Sequence, residues 1–166
     1  IVTDAVYENA TANLSLVRAN LQDKLIPLIR RGIIPVITGF FGCTEEGKTS
    51  SFGRNGSDYS AAVIAHALEA KEIHIWKDVD GFMTADPSIV SSSKRIKHLS
   101  YMEAAELSYF GARILHPRTV EPLTDSSTRI YIRNIHSPKN SATLIEESGY
   151  EEKDIIKSVT FNDRIA

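Results

Sequence analysis

The 166-residue sequence has one cysteine, no long apolar run and no large excess of charge of either sign. A single cysteine, Cys43, cannot form an internal disulfide, so a fold built around cross-links is excluded and a reducing, cytoplasmic location is expected. No stretch reaches the roughly 18 consecutive apolar residues of a membrane helix, so we predict no membrane partner. With 19 Lys+Arg against 21 Asp+Glu, the sequence also lacks the basic excess of a general nucleic-acid-binding surface.

What the sequence does contain is an alternation of helical and strand-like patterns. Apolar spacing, β-branched runs and a capping box at Ser100 and Glu103 indicate the elements. The helices are expected at 14–31, 58–70 and 102–115, and the strands at 33–38, 73–79, 129–135 and 155–161. This alternation predicts an α/β fold with a mainly parallel sheet, in which ligands bind beyond the carboxyl ends of the strands.

One glycine-rich stretch, Gly42–Thr49, matches the phosphate-binding pattern G-x-x-x-x-G-K-[ST]. A true P-loop opens directly into a helix whose amides face the phosphates. The residues after Thr49 have no helical pattern, and Glu45 and Glu46 would place two carboxylates inside an anion cradle. We therefore predict that 39–57 is a long loop or a flexible hairpin and not a P-loop.

A second glycine cluster, Gly53–Asp58, leads straight into the apolar helix predicted over 58–70. Backbone amides at a helix start favour an anion, and Arg54 adds a bidentate donor for a carboxylate or phosphate. Asp58 would be stabilised by the same helix dipole and could hold a cation or orient a lysine. The alternative is that Ser57 and Asp58 only cap the helix while Arg54 is solvated.

Carboxylates also follow the strand predicted over 73–79. Asp78 and Asp80, with Asp86 further along, could contact ribose hydroxyls or magnesium, or could simply be turn residues. The histidines are too scattered to indicate a metal site, and we predict none.

These pieces together resemble the aspartate kinase family, within the amino-acid kinase superfamily. The resemblance rests on four motifs in order: Phe52–Ala62, Ile75–Gly81, Thr84–Pro87 and Leu107–Pro117. It covers nearly the whole chain. Asn55 and the segment His116–Thr119 are most similar to the members that are fused to homoserine dehydrogenase.

The resemblance implies a three-layer αβα fold of the carbamate kinase type, and an enzyme that transfers the γ-phosphate of Mg-ATP to the side-chain carboxylate of L-aspartate. The product, 4-phospho-L-aspartate, enters lysine, threonine and methionine synthesis. The implied substrates are L-aspartate and ATP with Mg²⁺, and the implied state of the full-length protein is a homo-oligomer.

The family's site residues carry over to positions of this sequence. Arg54 and Asp58 are implied as catalytic, and Arg54, Gly56, Ser57 and Asp58 as substrate-binding. The implied nucleotide-binding residues are Lys77, Asp78, Asp80, Gly81, Met83, Asp86, Ser88, Arg113 and Ile114. Three of these depart from the family pattern: Met83 replaces a tyrosine, Ser88 an arginine and Arg113 a lysine.

The family's Lys-Phe-Gly-Gly start does not occur in this sequence. We therefore expect residues 1–150 to be the C-terminal, nucleotide-binding part of a kinase domain truncated at its N-terminus. Residues 151–166 are expected to be a linker and the first strand of an ACT-type regulatory region. Alone, the chain should be inactive, and normal turnover in a coupled ADP-release assay with aspartate would contradict that expectation.

Two other interpretations stay open from the sequence. The parent could be another amino-acid kinase, acting on glutamate, N-acetylglutamate, carbamate or UMP. Alternatively, the chain could be a non-catalytic binding or assembly fragment, because unpaired sheet edges invite association.

Overall fold

The chain folds into alternating helices and strands, which confirms the predicted α/β class. The structure is a computed structural model that describes residues 1–112, 114–149 and 156–160. Its elements are β1 (Val2–Thr3), α1 (Leu14–Lys24), α2 (Ile26–Arg30), β2 (Phe41–Thr44), β3 (Thr49–Ser51), α3 (Gly56–Ala67), β4 (Glu72–Lys77), β5 (His98–Ser100), α4 (Tyr101–Phe110), a 3₁₀ helix (Pro117–Leu123), β6 (Arg129–Asn134) and β7 (Thr143–Glu146).

The strands form two mixed sheets. In the first, of order β1-β2-β3, β1 is parallel to β2 and β2 is antiparallel to β3. In the second, of order β4-β6-β7-β5, the outer pairs are parallel and β6 and β7 are antiparallel. Strand β4 pairs in parallel with β6 along its whole length, from Glu72 with Arg129 to Lys77 with Asn134. The carboxyl ends of these two strands therefore meet at one edge of the sheet.

Helix α3 lies between two apolar clusters, as its nearly uniform apolar sequence predicts. Ala62 and Ala65 pack into the cluster around the second sheet, where Ile130 and Ile132 are fully buried. Tyr59, Val63 and Ala67 belong to the other cluster, with Phe52 and Val17. Because helix α3 is shared by both clusters, the position of its N-terminus is fixed from two sides.

The helices predicted over 14–31 and 102–115 are shorter in the structure than in the prediction. The helix predicted over 14–31 is divided into α1 and α2, because Pro27 in the first turn of α2 has no N–H to continue the ladder. The capping box of Ser100 and Glu103 at the start of α4 is confirmed. Helix α4 ends at Phe110 because Gly111 adopts a φ of 142°, which a helix does not permit.

The prediction of a strand over 33–38 is wrong. This segment has no strand structure, and Ile34 and Val36 are 88% and 97% exposed. A β-branched run becomes a strand only where a neighbouring strand accepts its hydrogen bonds, and none of the described residues does so. The local sequence favours extension but cannot supply the partner.

Two further differences concern the C-terminal part of the chain. Strand β7, which begins at Thr143, lies outside all of the strands predicted from the sequence. Of the strand predicted over 155–161, the described residues 156–160 form none, and the boundary expected at residue 150 lies outside the described residues. No helix in the described residues is long and apolar enough to cross a lipid bilayer.

Candidate functional site

The start of helix α3 is shaped by the cluster Gly53–Asp58. Gly53 and Asn55 have positive φ values of 81° and 60°, so the chain turns sharply into the helix. A Cβ on Gly56 would lie 2.7 Å from the Cβ of buried Phe52, which leaves no space for a side chain there. The glycines of this motif are therefore required by the turn and by close packing.

Asp58, in the first turn of α3, joins three separate segments. Its two carboxylate oxygens accept hydrogen bonds from Lys77 Nζ at 3.0 and 2.9 Å, and Oδ2 also accepts from the backbone N–H of His116 at 3.2 Å. The side chains of Asp58 and Lys77 are only 7% and 23% exposed. Asp58 thus orients a lysine, as one of the sequence interpretations predicted, and that lysine is the last residue of β4.

Arg54 and Ser57 lie at the same helix start but face solvent. Within the described residues, Arg54 makes no hydrogen bond or ion pair. An exposed guanidinium beside helix-terminal amides is an arrangement suited to binding a carboxylate or phosphate. The structure therefore brings Arg54, Gly56, Ser57 and Asp58 together at one helix end.

A cavity of about 630 Å³ lies beyond the carboxyl ends of β4 and β6, within the range typical of small-molecule sites. Six of the predicted nucleotide-binding residues line it: Asp78, Asp80, Gly81, Met83, Asp86 and Ile114. The lining combines carboxylates with the apolar side chains of Val79, Met83 and Ile114. Such a lining can hold a flat apolar group and accept hydrogen bonds from hydroxyl or amino groups.

Two predicted nucleotide-binding residues that the structure describes, Lys77 and Ser88, are not found in that lining. Lys77 turns to Asp58 instead, as described above. Ser88 supports the wall indirectly, because its N–H and Oγ both donate to Asp86 Oδ1, at 2.8 and 2.6 Å. These two bonds hold the pKa of Asp86 below its usual value of 3.8. Arg113 lies outside the described residues.

The cavity also has lining residues that were not predicted from the sequence. Asn134, at the end of β6, donates from Nδ2 to Asp80 Oδ1 at 2.8 Å. A polar side chain at the end of the strand paired with β4 was the signal that could have identified it. Gly111 and Ala112 after α4, and the segment 158–160, complete the wall. For these, the sequence offered no local signal.

The P-loop match is rejected by the structure. Gly42 lies in β2 and Thr49 in β3, and these strands pair in a hairpin, with Gly42 opposite Ser50. The hairpin option for 39–57 is therefore confirmed. No helix follows the lysine directly, so this stretch cannot present helix-terminal amides to a phosphate.

A second, more open cavity of about 600 Å³ lies next to the 3₁₀ helix and is lined in part by His116, Arg118 and Glu121. The Arg118 guanidinium stacks over the Tyr59 ring at 4.9 Å and donates to Glu121. His116 Nδ1 accepts from the Arg118 N–H at 3.1 Å. Burial, followed by the nearby charge of Arg118, lowers the pKa of His116 from 6.5, against smaller opposing effects of Asp58 and Glu121.

We expect acidification to destabilise the fold through His116. Because its folded pKa is lowered, the unfolded chain takes up the proton first, so stability is lost as the pH falls below about 6.5. Protonation also removes the Nδ1 acceptor. When the pH is lowered from 7.5 to 5.5, the free energy of urea unfolding should fall less for His116→Gln than for the unsubstituted chain. His136→Gln, in an exposed turn, should behave like the unsubstituted chain, and equal pH dependence in all three would contradict the assignment.

Comparison with known proteins adds three findings. The model of the amino acid kinase family matches residues 4–134. A bifunctional aspartokinase/homoserine dehydrogenase of Buchnera aphidicola is 43% identical over 160 residues, which are 96% of this chain and 19% of that protein. The lysine-sensitive aspartokinase 3 of Escherichia coli is 40% identical over 74% of this chain and 27% of its own length.

Solved structures agree with the sequence relatives. The structure of E. coli aspartokinase III in complex with aspartate and ADP has a TM-score of 0.85 and 34% identity, and the match covers 92% of this chain and 34% of that one. An aspartate kinase of Clostridium acetobutylicum has a TM-score of 0.71 at 31% identity over 92% of this chain and 34% of that one. The chain thus spans about a third or less of the length of these relatives.

Proposed function

The chain belongs to the amino acid kinase family, and on that premise we propose that it is part of an aspartate kinase. The proposed reaction transfers the γ-phosphate of ATP to the side-chain carboxylate of L-aspartate. The relatives described above carry the aspartokinase name, and nothing in the structure favours another amino-acid kinase or a non-catalytic fragment. Because the chain spans only part of their length, the activity is proposed for the whole parent protein.

The observation that carries the proposal is the Asp58–Lys77 ion pair, which connects the start of α3 to the cavity. Lys77 ends β4, and the next residue, Asp78, already lines the cavity. An anion-binding helix start and a pocket suited to a nucleoside therefore share one boundary. This is the arrangement that a reaction between a nucleotide and a carboxylate substrate needs.

Charge determines how the nucleotide would lie. The carboxylates of Asp78, Asp80 and Asp86 can accept hydrogen bonds from ribose hydroxyls and amino groups, but they would repel phosphates. The start of α3 and the Arg54 guanidinium attract anions. We therefore propose that the base and ribose occupy the cavity while the phosphates extend toward α3.

The remaining roles follow from these positions. Arg54 would bind a carboxylate of aspartate, with Gly56 and Ser57 supplying backbone and hydroxyl contacts. Asp58 would orient the Lys77 ammonium group beside the phosphates. Lys77 would act by holding Asp58 at the cavity edge, and Ser88 by holding Asp86. The described residues contain no group of three or more His, Cys, Asp or Glu side chains placed to hold a metal ion. We propose that Mg²⁺ enters bound to ATP, where it would neutralise phosphate charge.

The wider setting is proposed on the same premise. We propose a cytoplasmic, homo-oligomeric enzyme at the entry to lysine, threonine and methionine synthesis, subject to allosteric control through the region expected after residue 150. Fusion to a homoserine dehydrogenase is supported by the Buchnera relative, whose name combines the two activities.

Calorimetric titration with ADP tests the nucleotide part of this proposal. The unsubstituted chain should bind ADP, and Asp78→Ala should weaken binding about tenfold by removing an acceptor for the ribose. Asp125→Ala, which removes an exposed carboxylate away from the cavity lining, is the matched control and should leave the affinity unchanged. Equal affinities for both variants would contradict the assigned site.

The acceptor is tested separately on the full-length parent protein. A panel of L-aspartate, glutamate, N-acetylglutamate, carbamate and UMP, assayed by ADP release, should give turnover with L-aspartate alone. Turnover with another acceptor and none with aspartate would contradict the proposed substrate while leaving the nucleotide site intact.

A further inference from the structure

The segment 156–160 lies against the loop that follows β4, more than seventy residues away in sequence. Ser158 Oγ donates to the carbonyl oxygen of Met83 at 2.8 Å. The Val159 N–H donates to the carbonyl oxygen of Thr84 at 2.9 Å. The segment therefore pairs with two consecutive residues of the loop.

The same loop is held on its other side by residues 94–96. The Thr84 N–H donates to the Lys94 carbonyl oxygen at 2.8 Å, and the Ile96 N–H donates to the Phe82 carbonyl oxygen at 2.7 Å. Met83 and Arg95 form an antiparallel bridge. Residues 82–84 are thus the middle of three adjacent backbone segments, and their position depends on both neighbours.

This middle segment leads into the wall of the cavity. Met83, Ala85 and Asp86 line the cavity, and so do Ser158, Val159 and Thr160 themselves. Removal of 156–160 would open one side of the cavity and would free the carbonyl groups of Met83 and Thr84. The segment consequently contributes both a surface and two positioning bonds.

An ion pair ties this segment to helix α4. Lys157 Nζ lies 2.8 Å from Glu103 Oε1, with side-chain exposures of 17% and 35%. The other Glu103 oxygen accepts from the Ser100 N–H in the capping box at 2.7 Å. Burial alone would raise the pKa of Glu103, but the bonds from Lys157 and Ser100 hold it below its usual value of 4.5. Glu103 is therefore charged at neutral pH and fixed in position, so it can hold Lys157.

We infer that residues 156–160 are a nucleotide-positioning wall, whose docking against Met83 and Thr84 and the binding of an adenine nucleotide stabilise each other. The inference rests on the proposed function, because it takes the cavity to be the nucleotide site. Coupling of this kind is reciprocal: a bound nucleotide secures the segment, and displacement of the segment weakens nucleotide binding by the same factor. The segment is thereby a point at which nucleotide affinity can be controlled from outside the cavity.

The test compares two double variants of the full chain. Lys157→Met with Ser158→Ala removes the ion pair and the bond to Met83. Lys139→Met with Ser141→Ala makes the same chemical changes at exposed positions that do not line the cavity. Calorimetry should give about fivefold weaker ADP binding for the first variant and an unchanged dissociation constant for the second. Equal dissociation constants for the two variants would overturn the inference.

A second measurement needs no substitution. Amide hydrogen exchange at Val159, whose N–H bonds to Thr84, should slow when ADP is added to the unsubstituted chain. ADP binding without slower exchange at Val159 would overturn the inference and leave the proposed function standing. Failure of the unsubstituted chain to bind ADP would overturn both, so the two failures are distinguishable.

Discussion

Gly81→Ala should destabilise the fold by about 3–5 kcal/mol, one of the two largest effects that we expect from a single substitution. Gly81 has a φ of 117°, in a region that L side chains rarely adopt. A Cβ at this position would lie 2.4 Å from Thr143 Oγ1 and 3.2 Å from Thr143 Cβ. Backbone strain and a steric clash therefore act together.

The clash is costly because Thr143 cannot move freely. Thr143 is fully buried, its Oγ1 donates to the Ile96 carbonyl oxygen at 2.7 Å, and the same oxygen accepts from the Phe82 N–H at 3.1 Å. Displacing it would leave buried polar groups without partners, at about 1–3 kcal/mol for each group. The bonds of Thr143 also link β7 to the loop that lines the cavity. Gly81→Ala should therefore lower the affinity for ADP as well as the stability of the fold.

Gly47→Ala is the matched control for this prediction. Gly47 also has a positive φ, of 80°, but a Cβ there would meet nothing within 4 Å. The free energy of unfolding of Gly47→Ala should therefore fall only by the cost of the strained backbone, about 1–2 kcal/mol. Thermal or urea unfolding of both variants separates backbone strain from the steric clash. Equal losses of unfolding free energy in Gly81→Ala and Gly47→Ala would contradict the predicted clash with Thr143.

Asp58→Asn should lower the free energy of unfolding by about 2–4 kcal/mol. The substitution leaves the Lys77 ammonium, 23% exposed, without its anionic partner. Removing one member of a buried pair typically costs about 3–5 kcal/mol, and the partial exposure of Lys77 reduces that figure because water can solvate it. The bond from the His116 N–H to Oδ2 would also be weakened.

A double-mutant cycle isolates the interaction of Asp58 with Lys77. Asp58→Asn combined with Lys77→Met removes both charges and should be more stable than Asp58→Asn alone. Glu46→Gln is the control for an exposed pair, because Glu46 and Lys48 are 75% and 60% exposed, and it should cost no more than about 1 kcal/mol. A strictly additive cycle would contradict a stabilising pair.

The same substitution should also affect the proposed reaction. In the full-length parent protein, Asp58→Asn should reduce kcat at least about hundredfold. The substitution would displace the Lys77 ammonium group from its proposed position, where negative charge develops on the transferred phosphoryl group. The KM for ATP should change much less, because the proposed base and ribose contacts lie in the cavity. An unchanged kcat would contradict the role proposed for Asp58.

The elements that the sequence predicted correctly are those whose signals are local. Helix α3 is apolar nearly all round, helix α4 begins with a capping box, and β4 and β6 carry β-branched residues on their buried positions. These patterns depend only on residues within the element. The start of α3 and the loop after β4 were predicted as site segments for the same reason, because each directly follows or begins a recognisable element.

What the sequence did not predict depends on distant partners. Segment 33–38 has the composition of a strand but no strand beside it among the described residues, whereas Thr143–Glu146 is a strand because β6 and β5 flank it. The bond between Lys77 and Asp58 joins residues 19 positions apart, so no local pattern could assign it to this particular lysine. The contribution of 158–160 to the cavity wall likewise requires the chain to return across the fold.

A crystal structure of the chain grown with ADP and Mg²⁺ tests the proposed nucleotide site most directly. We expect nucleotide density in the cavity beyond β4 and β6, with the base and ribose near Asp78 and Asp80 and the phosphates directed toward the start of α3. ADP bound elsewhere, for example across the Gly42–Thr49 hairpin, with the cavity left empty, would contradict it.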